Sequence, residues 1–192
     1  MSTSVKFSYD QYEEMIRLGL FDPPEEHRVE LLFGKIVPVY GRNPMSPINP
    51  PHDDEVDELI NWSTEVLPHG TVRIRAQGSL GIREFNSLPQ PDFVWMLPRR
   101  YHKTRPTPAD ILLLVEVSDS TLRKDRGPKS RLYARAGIQD YWIVNIKGRC
   151  LEVHRDPVGS KYQSIMILTP GQEIHPLAFP DVALPIARLF PE

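Results

Sequence analysis

The sequence has too little cysteine for an intramolecular disulfide or a multi-cysteine zinc site, because Cys150 is the only cysteine among 192 residues. Long apolar runs are missing too. The longest, Ile111 to Val115, is far shorter than the roughly 20 residues that a transmembrane helix needs. The first residues carry no apolar segment typical of a signal peptide. These absences predict a cytoplasmic protein with a reducing environment and no membrane partner.

A dominant charge is also missing. The formal net charge is -2, so any surface for nucleic acid would have to be a local patch. Glycine-rich phosphate-binding loops are missing, which argues against an ATP-driven enzyme. The sequence has no internal repeats, and its length suits a single domain over residues 1–192.

Helix-like and strand-like segments alternate along the chain. Ser8 and Gln11 have the spacing of a capping box at the start of a helix, and Gly34 with Lys35 predicts a hairpin turn. The run Ile111 to Val117 is almost wholly apolar, as in a strand covered on both faces. Other strands are predicted at residues 71–75, 79–83, 93–97, 141–146, 151–154 and 161–168, and helices at residues 52–67 and from Pro128 to Gly137.

This order of segments predicts an α/β fold with a mixed central β-sheet flanked by helices. We expect an N-terminal helix and hairpin at residues 8–40, preceding a proline-rich loop. The core should span about residues 52–155. C-terminal strands and a tail would occupy residues 156–192.

Acidic residues mark the ends of two predicted strands. Asp92 follows Pro91 and opens one strand, while Glu116 closes the apolar run of another. A charge at the end of a buried strand is costly unless it has a partner. A metal ion is one such partner, since Mg²⁺ is held by few carboxylates and keeps several waters. An arginine at the sheet edge is the other interpretation for Glu116.

These acids belong to an ordered set of motifs that resembles the Uma-two family of the restriction-endonuclease-like PD-(D/E)XK superfamily. The motifs are Pro91-Asp92, Val115 to Thr121, Asp125 to Lys129, Tyr133-Ala134 and Gly137 to Trp142, with Glu30 to Ile36 and His52 extending the likeness over nearly the whole chain. The resemblance implies a restriction-endonuclease-like three-layer core. It also implies that Asp92 and Glu116 ligate Mg²⁺ or Mn²⁺ near the Val117 carbonyl, and that DNA is the substrate.

The sequence departs from the family's strand motif at Ser118, where a plain motif of this superfamily would place lysine. The lysine must then come from elsewhere, and Lys124 and Lys129 are the candidates. Lys129 lies four residues from Asp125, a spacing at which helical side chains share a face. We favour Lys129 as the catalytic lysine, with an ordinary ion pair to Asp125 as the alternative. Ser118 is expected to bond a carboxylate or cap the next turn.

Two further residues have open assignments. Glu30 begins the predicted hairpin, where the superfamily often adds an acid to the catalytic site; a pair with Lys35 or Arg28 is the alternative. His52 lies on the apolar face of its helix, so it is either a supporting site residue or a satisfied core histidine.

The densest basic stretch follows the strand that Asp92 opens. Its members are Arg99, Arg100, Lys103 and Arg105. Such a loop could follow a phosphate backbone and give salt-dependent affinity. A solvated loop without a ligand is the alternative.

The resemblance thus implies a metal-dependent endonuclease that hydrolyses DNA by a metal-activated water. A catalytically inactive module that binds nucleic acid or protein on the same fold is the alternative, motivated by Ser118. Cutting both strands of duplex DNA would favour a twofold homodimer, but no segment identifies an interface.

Overall fold

The structure is a computed structural model that describes residues 5–22, 28–39 and 50–191. Most of the predicted proline-rich loop lies outside these residues. The N-terminal part consists of helix α1 (Tyr9–Arg17) and a hairpin of β1 (Val29–Leu32) and β2 (Lys35–Pro38). Ser8 and Gln11 form the predicted capping box. The hairpin turn falls at Phe33 and Gly34, both with positive φ, one residue earlier than predicted.

The remaining elements build one six-stranded sheet and its covering helices. They are α2 (Pro50–Val66), β3 (Arg73–Ala76), β4 (Phe93–Met96), β5 (Ile111–Ser118), α3 (Leu122–Lys124), a π-helical turn (Asp125–Lys129), α4 (Ser130–Arg135), β6 (Asp140–Asn145), β7 (Cys150–Val158), β8 (Lys161–Leu168), β9 (Glu173–Ile174) and β10 (Leu184–Pro185). Three-residue and four-residue 3₁₀ turns lie at Arg83–Phe85, Pro108–Asp110 and Ile186–Leu189.

The central sheet has the strand order β3-β4-β5-β6-β7-β8. Strands β5 and β6 are parallel and every other neighbouring pair is antiparallel. The prediction of a mixed central sheet flanked by helices is therefore confirmed. Strand β8, at residues 161–168 as predicted, forms one edge, and β3 forms the other.

Side chains alternate between the two faces of this sheet, and each face carries its own apolar core. On one face, Trp95 and Trp142 pack with Trp62 of α2 and with the C-terminal segment. All three tryptophans are fully buried. On the other face, which we call the site face, Val94 and Leu114 pack with α4 and the β1–β2 hairpin. Within the described ranges, no helix is long and apolar enough to cross a membrane.

Two predicted segments differ from the structure. Residues 79–83 are not a strand; Ile82 makes only an isolated bridge to Ser87 before a 3₁₀ turn. The helix predicted to begin at Pro128 begins at Leu122 instead, and Pro128 lies inside the π-helical turn. Proline removes one backbone donor from a helix and crowds the preceding turn, and the wider π-helical turn is where this chain accommodates it. Gly137 follows α4 with a φ of 77°, and this helix end is as predicted.

Candidate active site

Asp92 and Glu116 are brought together by the pairing of β4 with β5. Phe93 pairs with Val115, so Asp92 and Glu116 face each other at the next position, on the site face. Both residues are buried. The Val117 backbone N–H donates a 2.8 Å hydrogen bond to Asp92 Oδ2, which fixes that carboxylate across the strand pair.

His52 approaches the same carboxylate from the first turn of α2. Its Nε2 lies 3.3 Å from Asp92 Oδ1. Burial alone would raise the pKa of Asp92, but His52, Lys129 and the Val117 N–H together bring that pKa below its usual value. Burial alone would lower the pKa of His52, but the Asp92 carboxylate opposes this effect, and the pKa of His52 is above its usual value. His52 is thus an inward residue that contacts the candidate site.

Lys129 reaches the acids from the π-helical turn and is itself buried. Its Nζ donates a 2.8 Å hydrogen bond to Glu116 Oε2. The same Nζ lies 3.8 Å from Glu30 Oε2 and 3.9 Å from Asp125 Oδ1. Burial disfavours the charged amine, but the surrounding carboxylates, Glu116 first, hold the pKa of Lys129 well above its usual value.

The second oxygen of Glu116 is bound by a tyrosine of α4. Tyr133 OH donates a 2.6 Å hydrogen bond to Glu116 Oε1. Burial raises the pKa of Glu116 well above its usual value; Lys129 opposes this, while the other acids, led by Asp92, add to it. A buried carboxyl of this kind is stabilised as an anion by nearby positive charge and by donated hydrogen bonds.

Glu30 enters the cluster from β1 and is fully buried. Its Oε1 lies 2.5 Å from Lys124 Nζ, and its Oε2 accepts a 3.0 Å hydrogen bond from the Gln90 backbone N–H. Lys124 Nζ also donates to the carbonyls of Pro38 and Val39, at 2.7 Å each. Glu30 therefore points towards the other acids and pairs with Lys124 instead of Lys35. Lys124 contacts the hairpin, and Lys129 contacts Glu116.

Ser118, at the position of the missing strand lysine, orients a further acid. Its Oγ donates a 2.6 Å hydrogen bond to Asp125 Oδ2, and Thr121 Oγ1 donates another of 2.6 Å to the same atom. Asp125 and Tyr133 were not among the predicted site residues. Their spacing of four residues on either side of Lys129 was the available signal, because such residues share a helix face.

The predicted basic loop is not gathered around these acids. Arg99 and Arg100 follow Leu97, at the opposite end of β4 from Asp92, and Arg99 is ion-paired with Asp110. Arg105 is ion-paired with Glu13 of α1, its Nε 2.5 Å from Oε1, and it also donates to Ser79. Lys103 lines an open groove with Arg75, Arg83 and Arg105. Binding of nucleic acid by this loop stays a prediction.

The cluster has the donor chemistry and charge that a divalent cation requires. Its buried carboxyl groups are those of Glu30, Asp92, Glu116 and Asp125. Two lysines, Lys129 and Lys124, and the imidazole of His52 face these four acids. The acids outnumber the two lysines, and a bound cation would favour the ionised form of Glu116, whose pKa is raised in its absence. The part of the chain that the structure describes holds no preformed cluster of three acidic, histidine or cysteine ligands. Such a centre would be completed by water, main-chain carbonyls or substrate oxygens, as Mg²⁺ sites often are.

The fold and the sequence both have relatives among known proteins. The family model described as "Uma2: Putative restriction endonuclease" matches residues 9–187. The crystal structure of a "putative nuclease belonging to DUF820 from Anabaena variabilis ATCC 29413" is similar, with a TM-score of 0.67 and 16% identity, over 96% of this chain and 97% of that one. At that identity the likeness concerns the fold. No curated protein matches the chain. The match over residues 9–187 shows that the chain belongs to the Uma2 family of restriction-endonuclease-like proteins.

Proposed function

We propose that the protein is an endonuclease that hydrolyses DNA phosphodiester bonds with the help of Mg²⁺ or Mn²⁺. The observation that carries the proposal is the buried contact between Lys129 and Glu116, 2.8 Å long, beside Asp92 on the same face of the sheet. Lys129 supplies the positive charge that Ser118, at the position of the strand lysine, cannot supply. Membership of the Uma2 family and the nuclease-like fold support the same activity.

Asp92 and Glu116 would hold the metal ion, each from the end of its strand. When bound, a divalent ion lowers the pKa of a coordinated water and neutralises charge on the phosphate. The Val117 N–H and His52 keep the Asp92 carboxylate oriented. Tyr133 does the same for Glu116. The two carboxylates are therefore positioned before any ligand arrives, which lowers the cost of organising the site.

Lys129 contributes positive charge at the point where negative charge develops. The water oxygen forms a bond to phosphorus, the ester P–O bond breaks, and the products are a phosphate monoester and a free hydroxyl. Lys129 orients the water or stabilises the crowded phosphoryl group in the transition state. We assign Ser118 the role of orienting Asp125, to which its hydroxyl donates, since no G-x-S-x-G elbow surrounds it. No covalent enzyme intermediate is required.

The proposal is tested by incubating supercoiled and linear DNA with the native protein and Mg²⁺ or Mn²⁺. We expect cleavage that EDTA abolishes and that falls by about a hundredfold or more in Asp92→Asn and in Glu116→Gln. Asp57→Asn, an exposed acid of α2, is the matched control and should cleave like the native protein. Equal, metal-independent activity in all four proteins would contradict the proposal. If the folded native protein neither cleaves DNA nor binds Mn²⁺, the inactive binding module replaces it.

A further inference from the structure

An arginine-lined groove runs along the β3 edge of the sheet. It encloses about 490 Å³ and lies between β3, the end of α1 and the start of β1. Its polar lining includes Arg28, Arg75, Arg105, Gln77, Gln90 and one acid, Asp22. Nothing in the catalytic proposal uses this groove.

Two backbone hydrogen bonds connect the lining of the groove to the acidic cluster. The Gln77 backbone N–H donates 3.0 Å to the Asp92 carbonyl, and the Gln90 backbone N–H donates 3.0 Å to Glu30 Oε2. Both glutamines therefore belong to the wall that separates the groove from the cluster.

Arg75 lies on the same sheet face as the acids. It pairs with Val94 across β3 and β4, and Asp92 is two residues further along the same face. Diagonal neighbours of this kind in an antiparallel pair are about 7–8 Å apart. The pairing of β3 with β4 therefore places the backbone of Arg75 close to Asp92.

Among the residues that the structure describes, no carboxylate lies within ion-pair distance of the Arg75 guanidinium, which lies over the ring of Tyr101, 5.7 Å from its centroid. Arg105, by contrast, is paired with Glu13. Partial burial and the neighbouring Arg73 and Arg105 lower the pKa of Arg75. A half-buried cation among like charges favours an anionic ligand.

The backbone beside Arg75 makes room for its side chain. A Cβ atom added at Gly78 would lie 2.0 Å from Arg75 Cδ and 2.8 Å from Cγ. No side chain can occupy that position unless Arg75 moves. Glycine therefore permits the placement of Arg75 in the groove, and an alanine at 78 would displace the guanidinium without changing the charge of the protein.

We propose that the Arg75 groove binds a phosphodiester of the DNA strand next to the one that is hydrolysed. The inference rests on the proposed nuclease function and names how that site holds its substrate. Guanidinium groups bind phosphate oxygens in pairs of parallel hydrogen bonds. Such a contact positions the strand without reading its sequence. The glutamines of the groove provide further donors for phosphate or sugar oxygens.

The test uses duplex oligonucleotides that carry a single neutral methylphosphonate at successive positions around the cleaved bond. With the native protein, one neutral linkage near that bond should weaken binding, measured without metal, by about tenfold, the scale of one charge-assisted contact. In Arg75→Met the same linkage should have no further effect, and the salt dependence of binding should fall by about one charge. Gly78→Ala should weaken binding in the same direction.

Arg73→Met is the matched control, because Arg73 is exposed on the same strand and lies further from Asp92. It should bind like the native protein, and thermal melting should show all variants folded. If the native protein cleaves DNA but Arg75→Met keeps native affinity and the native response to every neutral linkage, the groove proposal is overturned and the nuclease proposal stands. If the native protein neither binds nor cleaves DNA, both are overturned.

Discussion

The buried acids of this protein differ in how their charge is compensated. Glu116 has Lys129 and Tyr133 as direct partners, and Glu152 of β7 has Arg126, whose Nη2 lies 2.6 Å from its Oε1. Glu55 of α2 is also buried but lies between other acids of the same helix. A buried charge without a close partner is expensive, so Glu55 should weaken the fold at neutral pH while the paired acids should not.

The pKa of Glu55 is raised from 4.5 to about 8. Burial is the main cause, Asp54 and Glu58 contribute, and Arg149 opposes the shift. Below pH 4.5 both the folded and the unfolded chain hold the proton. Between pH 4.5 and 8 the unfolded chain loses it first, so the contribution of Glu55 to stability falls as the pH rises.

We therefore predict that Glu55→Gln raises the free energy of unfolding at pH 8 by about 2 kcal/mol, a value below the full shift because solvent screens part of the charge. The gain should shrink to nearly zero at pH 4.5. Urea denaturation between these pH values measures it. Asp57→Asn, exposed on the same helix, should change stability by less than about 0.5 kcal/mol throughout. If the unfolding free energies of the native protein and Glu55→Gln differed by the same amount at every pH, the pKa of Glu55 would not be raised by folding, and the prediction would be wrong.

One lysine from outside the β1–β2 hairpin contacts both of its strands. Lys124 Nζ contacts two carbonyls at the end of β2 and the Glu30 carboxylate on β1, with 19% of its side chain exposed. A short two-stranded hairpin is only marginally stable alone. Lys124 therefore acts as a positioning residue that holds Glu30 at the cleft.

Lys124→Met should loosen this hairpin. Amide hydrogen exchange of β1 and β2 should become about tenfold faster or more, since charge-assisted hydrogen bonds are lost, while exchange in β5 and β6 should stay native. Lys35→Met removes an exposed charge from the same hairpin and should leave exchange unchanged. Native exchange rates in Lys124→Met would contradict the positioning role.

Periodicity in the sequence was enough to predict most of these elements. The apolar run of β5 and the helical spacing of α2 depend on burial alone, and both are where they were predicted. The segment 79–83 has strand-like alternation but lacks a neighbour with which to pair, which depends on the whole fold. The π-helical turn could not be predicted, because its register depends on how the chain accommodates Pro128.

The site was predictable in part for the same reason. Acids at two strand ends could be predicted to meet, since neighbouring strands align their ends. The sequence favoured Lys129 over Lys124 by its spacing, but the direction of each side chain depends on the helical turn between them. Arg75 was missed altogether. Its signal, an unpaired charge beside a glycine, exists only once β3 and β4 are paired.

At the scale of the whole molecule, charged side chains are distributed across one face of the sheet. The site face carries Arg75 on β3, Asp92 and Glu116 at the centre, and the ion pair of Arg126 with Glu152 on β7. The opposite face is closed by α2 and apolar side chains. Substrate would therefore approach the site face alone, from the side where the hairpin and α4 frame the acidic cluster.

The central claim is that Lys129 supplies the charge that the strand itself lacks, and one comparison tests it most directly. Cleavage of DNA and binding of Mn²⁺ are measured for the native protein, Lys129→Met and Arg131→Met, an exposed neighbour with the same change in charge. We predict that Lys129→Met retains Mn²⁺ binding but cleaves about a hundredfold more slowly or worse, while Arg131→Met is native in both. Native cleavage by Lys129→Met would contradict the account.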